Sequence, residues 1–267
     1  MRRISRQPEN RGFTLLELMV SLAIFLLICG AAFTLLETSQ QRSRTESQML
    51  TSFQEARLGL DQVVRDVNDA GYPPPTYTDG VPADSTSSPF GWSPGYTVPT
   101  PCLIGTGGGG TCTTPGDFDL IVETNPDPNP QLNKTIQWIR YSLQGTTLMR
   151  GTAPKGTSQD PAVQTFPKLV PFVQNVVNNS APAQIAQYQA VYPSMFPGGA
   201  PVPIFSYTCD SGNVPQPCPL AGGNNSPANI RDVIVTLIVA SPLTDPTTGQ
   251  PRLVQLVGRG RRVNPNQ

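Results

Sequence analysis

The chain contains no histidine, and only 13% of its 267 residues are charged. Histidine is the commonest general base near neutral pH and the commonest metal ligand in proteins. Its absence excludes Ser-His-Asp and Cys-His catalytic arrangements, and no other catalytic constellation stands out. The sequence therefore predicts a non-enzymatic protein without a cofactor or a metal site.

The chain also lacks an excess of either charge, since 18 Lys and Arg residues balance 18 Asp and Glu residues. A neutral chain gives no reason to expect nucleic acid as a partner. Arg259, Arg261 and Arg262 form a small basic cluster near the C-terminus. We interpret this cluster as a solvated chain end rather than a DNA site.

Proline and glycine, by contrast, are abundant, with 30 and 24 residues, about a fifth of the chain. At this level, and without a collagen repeat, they indicate long loops. Residues 72–116 are especially rich in them.

The longest apolar segment runs from Phe13 to Leu36 and contains one charged residue, Glu17. As a helix it spans about 36 Å, enough to cross a bilayer. A secretory signal peptide would have a shorter apolar core and a cleavage site after it. Residues 1–12 carry four arginines and one glutamate, so the positive-inside rule predicts a cytoplasmic N-terminus and an exported remainder.

Five cysteines are present, and four of them lie after the apolar segment as two local pairs. Short spacing in an exported domain indicates disulfides. Pairing by proximity would join Cys102 to Cys112 and Cys209 to Cys218, although four cysteines allow three connectivities. Zinc is the alternative, but it normally requires CxxC-like spacing or histidine.

Residues 12–17, GFTLLE, follow the basic segment and open the apolar one. This arrangement resembles the class III leader of type IV pilins and type II secretion pseudopilins. The resemblance implies that a membrane prepilin peptidase cuts between Gly12 and Phe13 and that the new amine of Phe13 is methylated. It also implies that Glu17 is the family's hallmark glutamate.

Glu17 would be costly in hydrocarbon unless it had a partner. The resemblance implies that its carboxylate pairs with the positive N-terminus of a neighbouring subunit during filament assembly. Two alternatives remain: Glu17 reaches the headgroups, or it pairs with the N-terminus of its own subunit.

Apolar residues continue at helical spacing beyond the membrane segment, from Met49 to Ala70. The stripe predicts that the helix continues over residues 37–70, with Gly59 tolerated at a cost of about 1 kcal/mol. Gly71 and the three prolines after Tyr72 predict its end. The stripe is interpreted as a face packed on the protein's own head rather than as a coiled-coil seam, because only three heptads are present.

Strand patterns predict a β-rich remainder. The predicted segments are residues 118–124, a hairpin over 136–151 with its turn at Gln144–Gly145, an edge strand within 168–177, a strand from residue 202 into the second cysteine loop, a long central strand over 230–241, and a partner strand over 251–264.

Four acidic residues near the first of these strands offer oxygen ligands for calcium. They are Asp117, Asp119, Glu123 and Asp127. Because no recognisable calcium loop surrounds them, they are interpreted as a solvated strand edge.

The order of the strands resembles the larger minor pilins of the PilW type and the J-type pseudopilins. The resemblance covers residues 117–262. The matching residues are Trp138, Tyr141, Leu148, Arg150, Phe205, Tyr207, Ile230, Arg231, Val233, Val235 and Leu237.

The sequence thus predicts an α+β protein in which a long N-terminal helix packs on a β-sheet-rich head with long Pro/Gly-rich loops. The expected organisation is a leader (1–12), a transmembrane and filament-core helix (13–36), an amphipathic continuation (37–70) and an exported head (71–267).

The expected function is that of a minor pilin or pseudopilin of a type IV pilus or type II secretion pseudopilus. The expected partners are prepilin peptidase, other pilins or pseudopilins, and the inner-membrane assembly platform. The protein would first lie in the inner membrane and then at or near the filament tip. The main alternative is a membrane-tethered adhesin or ligand-binding module, and an exported enzyme is the weakest.

Overall fold

A computed structural model describes most of the chain. The described residues are 14–72, 89–91, 115–125, 136–155, 168–211, 214–220, 227–245 and 249–262. The chain forms two compact units, residues 1–47 and 48–267, and each is described by itself.

The first helix, α1, runs from Leu15 to Asn68 and contributes residues to both units. The sequence predicted a helix from Phe13 to Ala70, slightly longer than observed. Gly71 adopts a left-handed φ of 80°, which glycine tolerates without strain. Its N–H donates to the carbonyl of Glu123 at 2.8 Å, so the chain passes close to a strand soon after the helix ends.

The first sheet has five antiparallel strands in the order β1-β2-β3-β4-β5. They are β1 (Phe90–Gly91), β2 (Asp119–Thr124), β3 (Gln137–Gln144), β4 (Thr147–Pro154) and β5 (Val170–Val173). The predicted hairpin is confirmed as β3 and β4. Pro171 lies in β5 at an edge of this sheet, as predicted, because proline cannot donate a ladder hydrogen bond.

The second sheet has four antiparallel strands in the order β7-β6-β8-β9. They are β6 (Phe205–Ser211), β7 (Val214–Pro217), β8 (Ile230–Thr244) and β9 (Pro251–Arg261). The predicted pairing of the last two strands is confirmed. Neither β1 nor β7 was predicted, and β7 makes part of the second cysteine loop a strand.

The main core of the second unit is shared by α1 and both sheets. Ala56, Leu60, Val63 and Val67 of α1 are buried in one cluster with side chains of β2, β3, β6 and β8. The predicted stripe therefore packs on the head, and the overall α+β prediction is confirmed. Glycine at position 59 leaves room for β5, because a Cβ at this position would overlap the side chain of Val173.

A second helix, α2 (Pro182–Val191), was not predicted from the sequence. Its buried residues are Ile185 and Tyr188. They belong to a smaller apolar cluster that also contains Ile238 and Ala240 of β8. This cluster fixes α2 against the second sheet.

The central strand β8 contributes to both apolar clusters. Four of its residues in the main core alternate along the strand; they are Val233, Val235, Leu237 and Val239. Ile238 and Ala240 face the smaller cluster instead. Because successive side chains of a strand point to opposite faces, β8 is buried on both faces over this stretch, which explains its nearly continuous apolar sequence.

Candidate functional site

The sequence predicted processing and assembly residues in the N-terminal segment. Gly12 and Phe13 lie outside the described residues, which begin at Thr14. Glu17 lies in the first turn of α1. The geometry around Thr14 and Glu17 is therefore the part of this site that the structure describes.

Thr14 and Glu17 form a reciprocal pair at the start of α1. The backbone N–H and the hydroxyl of Thr14 donate to Oε2 of Glu17 at 3.0 and 2.9 Å, and the backbone N–H of Glu17 donates to Oγ1 of Thr14 at 3.3 Å. This is a capping box, in which a Thr and a Glu three residues later satisfy N–H groups that have no partner within the helix. It was not predicted, although the spacing T-x-x-E is its signature.

The two bonds from Thr14 both reach the same carboxylate oxygen. Oε1 of Glu17 has no hydrogen bond to any described residue. Glu17 can therefore cap its own helix and still offer one oxygen to a cation.

Other hydroxyl groups in and next to the apolar part of α1 bond to carbonyls of the same helix. Ser21 donates to the carbonyl of Glu17 at 2.7 Å, Thr34 to that of Ala31 at 2.8 Å, and Thr38 to that of Thr34 at 3.0 Å. Polar groups in hydrocarbon must find partners within the protein. These bonds make the segment compatible with a membrane despite its hydroxyl groups.

Apolar side chains cover the surface of this part of α1. Leu15, Leu16, Leu27 and Phe33 are each at least 70% exposed. The helix is long and apolar enough to cross a membrane. Such exposure is expected of a segment that lies in lipid or packs against other helices.

Comparison with protein-family models decides the interpretation of this segment. Residues 8–33 match the model of the prokaryotic N-terminal methylation motif. The chain carries this methylation motif. No curated protein and no solved structure matches the chain.

The methylation motif supports the type IV pilin-like and pseudopilin family and implies processing by prepilin peptidase. That family is structural rather than enzymatic. The motif and the apolar helix together fit a single-pass anchor in the inner membrane.

The cysteines of this chain lie in different settings. Cys209 on β6 and Cys218 form a disulfide with a Cα–Cα distance of 5.4 Å, so the expectation of a disulfide is confirmed. Cys29 is a free thiol in α1. Cys102 and Cys112 lie outside the described residues, and their pairing stays a prediction.

The acidic residues near β2 were interpreted as a solvated edge, which is wrong for two of them. Asp119 forms an ion pair with Arg140 at 2.6 Å. Glu123 is fully buried and pairs with Lys155 Nζ at 2.7 Å. Strand pairing brings these cations to the carboxylates, which the sequence pattern could not reveal.

The structure describes one of the other two acidic residues of this group. Asp117 is exposed, as expected, and Asp127 lies outside the described residues. No metal-binding group of three or more His, Cys, Asp or Glu residues occurs among the residues that the structure describes.

The interpretation of the three C-terminal arginines as a solvated chain end is only partly correct. Arg259 pairs with the buried Asp232 at 2.7 Å, and Arg262 is itself buried, with its guanidinium 3.6 Å from Asp210. Burial lowers the pKa of Arg262, whereas the bond to Asp232 raises the pKa of Arg259. Because carboxylates neutralise two of the three charges, the cluster is a poor candidate for a DNA site.

A buried polar contact links α1 to the first sheet. Asp66 of α1 accepts from the hydroxyl of Tyr141 on β3 and from Arg150 on β4, the latter at 3.0 Å, and Gln62 donates to its other oxygen at 2.8 Å. Tyr141 and Arg150 are cross-strand neighbours. Burial, with the nearby charge of Asp66, raises the pKa of Tyr141, so its hydroxyl stays protonated and can donate.

This contact gives two residues of the predicted minor-pilin pattern a physical role. From the sequence, Tyr141 and Arg150 were known only as matching residues. Their partner Asp66 is 84 residues from Arg150 in the chain, which is why no local pattern indicated the contact.

Proposed function

We propose that this chain is a minor pilin or pseudopilin, a structural subunit that is assembled into, or initiates, a type IV pilus or a type II secretion pseudopilus. The observation that carries the proposal is the methylation motif at residues 8–33, placed at the start of an exposed apolar helix. The length of 267 residues supports a minor role. Before assembly the N-terminus would be cytoplasmic and the head exported.

In this proposal prepilin peptidase removes residues 1–12 and the amine of Phe13 is methylated. The new terminus carries a positive charge that has to leave water when helices pack in a filament. An isolated charge in hydrocarbon is expensive, so it needs a carboxylate partner.

Glu17 supplies that carboxylate. Its Oε1, which bonds to none of the described residues, supports a bond to the terminus of a neighbouring subunit. The filament's other pilins or pseudopilins and the inner-membrane assembly platform are the expected partners, and the head is expected at or near the tip.

The processing step has a direct test in mass spectrometry of the mature protein. We expect the N-terminal peptide to begin with methylated Phe13. Gly12→Leu should leave the precursor uncut, because a bulky residue replaces the glycine at the cleavage site. A mature chain of the unaltered protein that begins at any other residue would contradict the proposed processing.

The role of Glu17 can be separated from helix capping by three variants. Glu17→Gln retains an oxygen that can accept from Thr14 but loses the negative charge, whereas Thr14→Ala loses the cap at a cost of about 1 kcal/mol and keeps the charge. We expect all three of Glu17→Ala, Glu17→Gln and Thr14→Ala to be cleaved.

Incorporation into filaments should depend on whether a variant keeps the negative charge at position 17. The amount of the subunit in sheared filaments should fall at least about tenfold for Glu17→Ala and Glu17→Gln, because an unpaired terminus costs more than about 1.4 kcal/mol in hydrocarbon. Thr14→Ala should be incorporated nearly normally. Equal losses for Thr14→Ala and Glu17→Ala, with normal incorporation of Glu17→Gln, would show that capping alone explains the glutamate.

A further inference from the structure

A groove of about 440 Å³ lies between α2, the turn of the β3–β4 hairpin and the ends of β8 and β9. This volume is within the range of roughly 300–1,000 Å³ that is usual for small-molecule sites. We call it the amide groove. Its polar side chains include Thr146, Asn175, Gln184, Gln187, Tyr188 and Thr244.

The described side chains that line the amide groove are polar or apolar, and none carries a charge. No Asp, Glu, Lys or Arg is among the described residues that line it. The nearby Asp245 is paired with Arg252 at 2.8 Å. A phosphate, a nucleic acid or a metal ion would find no opposite charge here, so the groove suits a neutral ligand.

Backbone groups around the groove are already used within the protein. The N–H groups of Ala240 and Asp245 donate to the carbonyls of Asn175 and Gln250, each at 2.9 Å. The N–H of Arg252 donates to the side chain of a groove serine at 3.0 Å. An extended peptide binds mainly through the backbone of an open strand edge, and these three N–H groups are not available to one.

Side chains are therefore the groups that remain to recognise a ligand. Gln187 and Asn175 make no side-chain hydrogen bond within the described part of the chain. Each amide offers two donor hydrogens and an acceptor oxygen. The hydroxyl of Tyr188 accepts from Gln184 at 2.8 Å and keeps its own hydrogen for donation. Burial raises the pKa of Tyr188, so that hydrogen remains at alkaline pH.

Packing and backbone conformation hold two of these side chains in place. Tyr188 is almost completely buried, and its ring stacks on Phe196 with 5.8 Å between ring centres. Asn175 adopts a left-handed φ of 58°, which asparagine accepts more readily than most residues. Rigid donors and acceptors at a concave surface reduce the ordering cost of binding.

We propose that the amide groove binds a neutral saccharide. Hydroxyl groups on a sugar both donate and accept, and side-chain amides and hydroxyls complement them in the same way. The proposal concerns the head alone and does not depend on whether the chain is assembled into a filament.

The test uses the full-length protein in nanodiscs, since glycosidic detergents would compete for the groove. An array of neutral, sialylated and sulfated glycans identifies a probe, and titration with that probe measures Kd. Gln184→Ala combined with Gln187→Ala removes two exposed amides from α2. We expect Kd to rise at least about fivefold, because one neutral hydrogen bond contributes about 1 kcal/mol.

The matched control is Gln189→Ala, the same change on the same helix but outside the groove. It should leave Kd unchanged. Thr244→Trp, at an exposed position, should block the groove and abolish binding without unfolding the protein, as checked by circular dichroism.

Any one of three results with the glycans would overturn the proposal. The first is that no neutral glycan on the array binds. The second is that only sialylated or sulfated glycans bind. The third is that the Gln184 and Gln187 changes leave Kd unaltered. A neutral peptide that competes with the glycan and binds more tightly would also contradict it.

Discussion

Lys155→Met is expected to lower the free energy of unfolding of the second unit by roughly 3–5 kcal/mol. The side chains of Lys155 and Glu123 are 6% and 0% exposed, and their charged atoms are 2.7 Å apart. Removing the ammonium leaves the buried carboxylate without this cation. Urea unfolding measures the change in the free energy of unfolding. Tryptophan fluorescence is a suitable probe, because Trp138 donates to the same carboxylate at 3.1 Å.

The double variant Glu123→Gln with Lys155→Met separates a charge effect from lost packing. It removes both charges, and the glutamine can still accept from Trp138, so it should recover most of the lost stability. Arg231→Met is the matched control, because it breaks a partly exposed ion pair with Asp210, and such pairs contribute about 0–1 kcal/mol. A double variant as unstable as Lys155→Met alone would show that the charges are not responsible.

Gly260→Val is the second substitution with a large expected effect, a loss of about 3 kcal/mol or more in the free energy of unfolding. A Cβ at Gly260 would lie 2.6 Å from Cγ1 and 2.7 Å from Cβ of Val67, and 3.2 Å from the carbonyl oxygen of Val64. The backbone and Cβ atoms of α1 cannot rotate away, so α1 and β9 would have to separate. Thermal unfolding followed by circular dichroism measures the loss.

Gly258 provides a graded comparison on the same strand. A Cβ there would lie 2.9 Å from Leu60 Cδ1 and 2.9 Å from Val64 Cγ2, the ends of side chains that can change rotamer. Gly258→Ala should therefore cost less than Gly260→Ala. Val67→Ala should rescue part of the loss in Gly260→Ala by restoring space. Equal losses at the two glycines, without rescue, would contradict close packing as the cause.

Local patterns account for the parts of the fold that were predicted correctly. The stripe from Ala56 to Val67 repeats at helical spacing, and the β3–β4 hairpin has a tight turn at Gly145. Neither needs information from a distant part of the chain. The same is true of the methylation motif, which lies within residues 8–33.

Contacts between distant residues account for the errors. The interpretation of Asp119 and Glu123 as a solvated edge missed their partners. Arg140 and Lys155 lie 21 and 32 residues away, beyond the reach of a local pattern. The helix α2 has only a narrow apolar face of its own, and it packs on β8, which comes much later in the chain. Contact with β8, rather than the apolar pattern of α2 itself, accounts for the burial of this helix.

Neighbouring residues are sufficient to specify the N-terminal motif, the apolar helix and most of the strands of this protein. Three other features exist only in the folded chain: the buried charge pairs, the close approach of α1 to β9 at Gly258 and Gly260, and the amide groove between α2 and the strand ends. These features depend on which residues meet across space. Strand pairing and helix packing bring those residues together only when the whole chain folds.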